Sequence, residues 1–284
     1  MNALLLALAL LLAPIAEARS PDRSLLHRAD DAPPLLSEAD QESYRILVAD
    51  LTEAALNDRI EPAHFEQAEQ LGMSLRHRGD ILELRPGTQS VGAAGVLLLR
   101  TGPLAAEVVL AAPHPFDDLR TGGIAATIFE NAPVRALFIA TQSRYAAGEA
   151  EPTLHPESAL HITTEVLADR LEQPWFVQIH GYGPGSSEAS AVISGGASMT
   201  PRTILERSAD MLSAIVGGAD VRTSRLVPLL SARDNIQGDY LRDRARFVHI
   251  ELGRDLRIEL ESNPRWCGLL GDRLVAMASA EAIN

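Results

Sequence analysis

The stretch Glu107 to Thr121, EVVLAAPHPFDDLRT, constrains the fold of this chain more than any other. Its first part, Val108 to Ala112, is apolar and uncharged, and as a strand it must be buried on both faces, as strands are inside a parallel sheet. Pro113-His114-Pro115 then stops both ladder and helix. Two adjacent carboxylates, Asp117 and Asp118, precede Gly122 to Asn131, which can be a helix. An imidazole and a carboxylate at the carboxyl end of a buried strand stand where open α/β sheets place their ligands. They are also two-thirds of a catalytic zinc site. The competing reading is an ordinary Pro-rich turn whose Asp caps the next helix.

Along the rest of the chain, period-2 and short apolar runs predict strands at Ile81–Leu84, Gly95–Arg100, Val134–Ala140, Trp175–Ile179, Ala191–Ser194, Leu226–Leu230 and Phe247–Leu252. Ser37-Glu38-Ala39-Asp40 offers cap chemistry ahead of Tyr44, Leu47, Val48, Leu51, Ala55 and Leu56, which are apolar at helical spacing. Further helices are expected at Pro62–Leu71, Ser158–Leu171, Thr203–Val216 and Arg273–Ala280. Strands alternating with helices imply an α/β protein: a three-layer α/β/α fold with a mostly parallel mixed central sheet.

Residues 1–18 have the form of a signal peptide. Leu4 to Ala13 is a Leu/Ala run, and Ala16-Glu17-Ala18 supplies the small residues a signal peptidase reads, so cleavage is expected after Ala18. Residues 19–37 read as a flexible lead-in and 38–284 as a single domain. No apolar run reaches the length of a membrane span, so a periplasmic or secreted protein is expected. The formal charge of −13 argues against nucleic acid as a partner, since phosphate binding needs a basic face. A single cysteine, Cys267, excludes an internal disulfide and any cysteine-based zinc cluster.

Three expected strand ends carry polar groups that buried strands tolerate poorly: His114 with Asp117 or Asp118, His180, and Glu251. Parallel strands align their carboxyl ends, so these groups can meet despite their separation in sequence. Two imidazoles and one carboxylate form a common ligand set for catalytic zinc, and a second carboxylate can act as proton shuttle. Glu251 fits that second role, because alternation in Phe247-Val248-His249-Ile250-Glu251 puts Phe247, His249 and Glu251 on one face. The competing reading of that segment is an edge strand with one wet face. Arg144 follows a strand on the same side and can clamp a substrate carboxylate or stabilise an oxyanion, or be a plain surface arginine.

PHPFDDLRT, FVQIHGYG and DNIQGDYLRDRARFVHIELGRDLR together resemble the three motifs of the phage poly-γ-glutamate hydrolase family, within the zinc-carboxypeptidase-like fold. The resemblance covers roughly Gly95 to Leu260. It implies Zn²⁺ on His114, an Asp and His180, with Glu251 as general base and Arg257 as a trailing arginine. Asp118 keeps the family's three-residue offset to Thr121, whereas Asp117 keeps the His-x-x-acid spacing of the carboxypeptidases; Asp118 is the preferred ligand. The resemblance also marks the motif that holds Asn235 as substrate-facing, with a plain turn residue as the competing reading, and His249, where the family often has a neutral polar residue, as able to tune Glu251 or touch substrate. What it implies is an exported zinc-dependent amide-bond hydrolase acting on a small peptide or amide: a γ-glutamyl, acyl-amino-acid or cell-wall peptide substrate. The alternatives are a catalytically silent exported binding protein and a metal-dependent esterase or deacylase.

Overall fold

A computed structural model describes residues 23–26, 28, 35–87, 95–145 and 151–282. The signal peptide expected at 1–18 lies outside these residues. Of the lead-in expected to be flexible, Arg23–Leu26 forms a short 3₁₀ turn, and Leu25 and Leu36 are buried in the two hydrophobic cores.

The strands are β1 Met73–Arg78, β2 Ile81–Pro86, β3 Gly95–Arg100, β4 Ala106–Ala112, β5 Val134–Ala140, β6 Trp175–Tyr182, β7 Ala191–Ser194, β8 Val221–Thr223 and β9 Arg246–Gly253. Among the described residues they form one mixed sheet in the order β1-β2-β3-β5-β4-β6-β9-β7-β8. The centre, β5-β4-β6-β9, is parallel throughout, and so is β7 with β8. The flanking pairings are antiparallel.

The helices are α1 Glu38–Leu56, α2 Pro62–Gln70, α3 Thr121–Asn131, α4 Ala159–Arg170, α5 Arg202–Ile215, the short α6 Ile236–Tyr240, α7 Arg254–Ser262 and α8 Pro264–Ala282. Ser37 caps α1, its hydroxyl accepting from the Asp40 N–H, which satisfies one of the end donors a helix leaves open. Alternation along the central strands divides their side chains between two cores. Val108, Leu110, Trp175, Val177, Val248 and Ile250 pack with α3, α5, α7 and α8. Val109, Ala111, Phe138, Phe176 and Phe247 pack with α1 and α4. These are the three α/β/α layers.

Three segments differ from the sequence expectation. Leu226–Leu230 is not a strand: Pro228–Leu230 is a 3₁₀ turn, with Leu226 69% and Leu229 90% exposed, while strand β8 lies earlier. Pro228 has no N–H for a ladder, and no second layer covers the run. The last helix begins at Pro264 rather than Arg273, and α7 precedes it. Strand β1, unforeseen, pairs with β2 across the two-residue turn Gly79-Asp80, where Gly79 takes φ +59°. Its last three residues, Arg76 to Arg78, are exposed, so its sequence lacks the apolar alternation that marks a half-buried strand.

Candidate functional site

Strands β4, β6 and β9 run parallel and adjacent, so their carboxyl ends meet at one edge of the sheet. Beyond β4, Pro113 releases the chain into a tight turn in which the Asp117 and Asp118 N–H groups donate to the His114 carbonyl, at 3.1 and 2.8 Å. That helical spacing puts His114 and Asp118, four residues apart, on the same side. Thr121, the first residue of α3, donates both its hydroxyl and its N–H to the Asp118 carbonyl, at 2.8 and 3.1 Å. On β6, the face that carries Phe176 continues with Gln178 and His180. On β9, the face that carries Phe247 continues with His249 and Glu251. Register pairs Gln178 with His249 and His180 with Glu251. Two strands that begin apolar on this face therefore become polar together at their carboxyl ends.

His114, Asp118 and His180 are buried, 3%, 6% and 5% exposed, and bring ligand atoms within 4.8 Å of one another. Asp118 Oδ2 lies 3.4 Å from His114 Nδ1 and 3.5 Å from His180 Nδ1. The outward nitrogens are engaged elsewhere. His114 Nε2 donates to the Glu151 carboxylate, which can only accept, and His180 Nε2 donates to Gln178 Oε1 at 3.2 Å. The Arg144 guanidinium donates to the other Asp118 oxygen, Oδ1, at 2.9 Å. His114 Nδ1 and Asp118 Oδ2 have no hydrogen-bond partner although both are fully buried. Bare buried acceptors are costly. Tetrahedral zinc with bonds of about 2.0–2.1 Å would hold its ligand atoms about 3.4 Å apart, the spacing found between Asp118 Oδ2 and each histidine nitrogen. The donor set and its outer hydrogen bonds fit zinc.

The charges agree. Burial alone would lower His114, but the neighbouring Asp118 and Glu151 carboxylates outweigh that and raise it. A metal cation competes with the proton for that same lone pair. Burial would raise Asp118, yet the two histidines hold it well below the usual carboxylate range. Glu151, raised by burial, is brought down to about 2 by His114, Thr153 and Arg144. Burial lowers His180 and His249, so both rings are held toward the neutral, ligating form.

Asp117 sits just outside this cluster, its carboxylate accepting from the Ser143 hydroxyl at 2.7 Å and the Arg144 N–H at 2.8 Å. Arg144 thus stands among Asp117, Asp118 and Glu151. Asn235 caps α6 through the Gly238 N–H at 3.0 Å and donates its amide to Gln178 Oε1 at 2.7 Å. His249 lies 3.4 Å from the Ser194 hydroxyl through Nδ1 and 3.7 Å from Glu251 Oε1 through Nε2. Glu251 Oε2 has no partner, and burial, then the nearby Asp118 charge, push its carboxyl up to about 7. His180, His249 and Glu251 form a second group with ligand atoms within 4.8 Å. It shares His180 with the first, whose Nδ1 already faces Asp118.

Arg257 reaches the site from α7. Its Nη2 donates to the Tyr182 carbonyl at 3.3 Å, while buried Nε and Nη1 have no partner. Only a glycine leaves room for it, because a Cβ on Gly181 would stand 1.6 Å from Nη1. A cleft of about 530 Å³ brings His114, Arg144, Glu151, His180, His249 and Glu251 together with the segment 228–235. Sequence reading missed Glu151 and Gln178. Gln178 carried a signal, a polar residue two before His180 on the same face of a buried strand; Glu151, in a loop, carried none.

Among the described residues, no helix is long and apolar enough to cross a membrane. No protein-family model matches the sequence, and no curated protein matches it significantly. Among solved structures, the chain is similar to N-formylglutamate amidohydrolase from Ralstonia eutropha, at 14% identity over 66% of this chain and 99% of that one, with a TM-score of 0.46. It is similar to a bacteriophage poly-γ-glutamate hydrolase at 13% identity over 68% and 92%, TM-score 0.43. Succinylglutamate desuccinylase from Chromobacterium violaceum gives 12% identity over 78% and 73%, TM-score 0.43. At these identities none of the three assigns a role to any residue of this chain.

Proposed function

We propose that this chain is a zinc-dependent amide-bond hydrolase whose ion is held by His114 Nδ1, Asp118 Oδ2 and His180 Nδ1. The observation that carries the reading is the convergence of these three inward atoms, Asp118 Oδ2 lying 3.4 and 3.5 Å from the two nitrogens, while every outward atom of the same side chains is hydrogen-bonded. A bound zinc ion supplies Lewis acidity toward a carbonyl oxygen and toward water.

The chain's own residues supply the rest. Glu251, with a carboxyl near 7 and a bare oxygen, takes the proton from the attacking water and returns it to the departing amine. Arg257 Nε and Nη1, buried donors without a protein acceptor, are assigned to the substrate oxygen that carries negative charge. Arg144 holds Asp118 Oδ1, which turns Oδ2 toward the histidines. The substrate class, a γ-glutamyl, acyl-amino-acid or cell-wall peptide amide, follows from the motif resemblance. Export follows from the leader-like first 18 residues, and mature protein from an exporting host is expected to begin at Arg19.

The test combines metal analysis with turnover of an amide panel by three proteins. Wild type is expected to hold one zinc and hydrolyse a member of the panel, and His180→Ala to lose zinc and activity. Glu251→Gln, which keeps size but cannot accept the proton, is expected to keep zinc and lose about 10²–10⁴-fold in kcat. Stoichiometric zinc with no turnover would leave a silent binding protein. Near-wild-type turnover by Glu251→Gln would remove the base, and loss of its zinc would make Glu251 a ligand.

A further inference from the structure

We infer that Gln178 and Asn235 form a positioning relay that dictates which ring nitrogen His180 presents to the centre. The inference rests on the zinc reading above and adds to it two residues outside the proposed ligand set.

The relay can be read from both ends, because each end is a backbone group with only one capability. At one end the Gly238 N–H can only donate. Asn235 therefore turns its oxygen there, at 3.0 Å, and its Nδ2 toward Gln178 Oε1, at 2.7 Å. At the other end the Pro152 carbonyl can only accept. Gln237 therefore turns Nε2 toward it, at 3.2 Å, and Oε1 toward Gln178 Nε2, at 3.3 Å. His161 agrees with this direction. Its Nδ1 lies 3.5 Å from Gln237 Nε2, which can only donate, and so accepts there.

Both chains of logic give Gln178 the same orientation, with its nitrogen toward Gln237 and its oxygen toward Asn235 and His180. An oxygen at 3.2 Å from His180 Nε2 requires a hydrogen there, so the lone pair of the neutral ring is confined to Nδ1, on the Asp118 side. Gln178 and Gln237 are 2% and 0% exposed, so water cannot replace a lost partner cheaply. Without Asn235, a half-turn of the Gln178 amide is opposed only by its 3.3 Å bond to Gln237 Oε1. That half-turn would offer His180 a donor in place of an acceptor, and with it the wrong tautomer. Pro152 adjoins Glu151, which orients His114, and the Ile236 N–H donates to the Thr153 carbonyl at 3.0 Å. The outer supports of both histidines are therefore joined in one wall of the cleft.

The experiment measures zinc affinity of the full chain by competition with a chromophoric chelator, together with histidine ring ¹⁵N signals of the metal-free protein at mildly alkaline pH. The signals are expected to show His180 as the Nε2–H tautomer. Gln178→Met, which keeps length but removes the acceptor, is expected to weaken zinc binding about 10–100-fold, with the far-UV circular dichroism of the metal-free protein unchanged. Gln178→Glu restores an acceptor and should recover most of that loss. Asn235→Ala should weaken binding and admit the other His180 tautomer. An Nδ1–H ring in wild type, or wild-type affinity in a folded Gln178→Met, overturns the relay. If Gln178→Met does not fold, the wild-type tautomer and Asn235→Ala still decide. None of these readouts uses turnover, so absence of hydrolysis would remove the enzyme reading and leave the relay standing or falling by itself.

Discussion

Gly181→Ala is a one-atom test of Arg257, whose Nε and Nη1 the site leaves without a protein partner. The new Cβ would lie 1.6 Å from Arg257 Nη1, 2.5 Å from Cζ and 3.0 Å from Nε. Non-bonded carbon contacts settle at about 3.5–4.0 Å, so the guanidinium must retreat by about 2 Å. The atoms in conflict are the far end of a flexible side chain, so the strand itself can stay. The cost to stability should then be no more than about 1–3 kcal/mol, a fall in Tm of several degrees at about 2–4 °C per kcal/mol. What is lost is the bond to the Tyr182 carbonyl and the placement of the two bare donors. A hydrogen bond to a charged group contributes about 1.5–3 kcal/mol, and about 1.4 kcal/mol is a factor of ten in rate. The expected loss in kcat/KM is therefore about 10–150-fold with zinc retained. The assay compares Gly181→Ala, Arg257→Met and the double variant on one hydrolysed substrate. If the glycine acts through the arginine, the double variant is no worse than Arg257→Met. Fully additive losses, or wild-type kcat/KM in a folded Gly181→Ala, would refute the reasoning.

Two further outcomes are expected. Asp118→Ala should drop bound zinc well below one equivalent while Asp117→Ala retains most of it, since Asp117 is spent on Ser143 and the Arg144 N–H; metal analysis of both variants checks this, and the reverse pattern would move the ligand to Asp117. Cys267 is buried, bonded to the Leu260 carbonyl, and burial pushes its thiol up to about 12. Thiol reagents at pH 8 should therefore reach it only after unfolding, and rapid labelling of the native protein would show that this packing is wrong.

The parts of the fold that could be read from sequence are those where burial writes a period into the chain. Val134–Ala140 was readable to the residue because both faces of β5 are covered, so every position is apolar or held by a partner. Leu226–Leu230 misled for the opposite reason. It is apolar without being buried, and only tertiary context distinguishes such a run from a strand. Within the site, His114, His180 and Glu251 were visible because each interrupts an apolar run. Asn235 and Arg144 were found as residues but not in what they touch: the expected substrate contacts of both side chains compete with bonds to Gln178 and Asp118.

The parallel centre of the sheet explains why residues so far apart can build one site. Equal register along β6 and β9 sets His180 beside Glu251, and Gln178 beside His249. Each strand therefore brings two polar groups, one at the edge and one a layer deeper. The edge pair is assigned to zinc and proton transfer; of the deeper pair, Gln178 is assigned to orienting His180 through Nε2, and His249 stands 3.7 Å from the Glu251 carboxylate. A polar residue two positions inside each strand would be a liability in an ordinary core. Here the deeper positions stay dry, at 2% and 3% exposure, and in that environment a single hydrogen bond, such as that between His180 and Gln178, suffices to fix a tautomer.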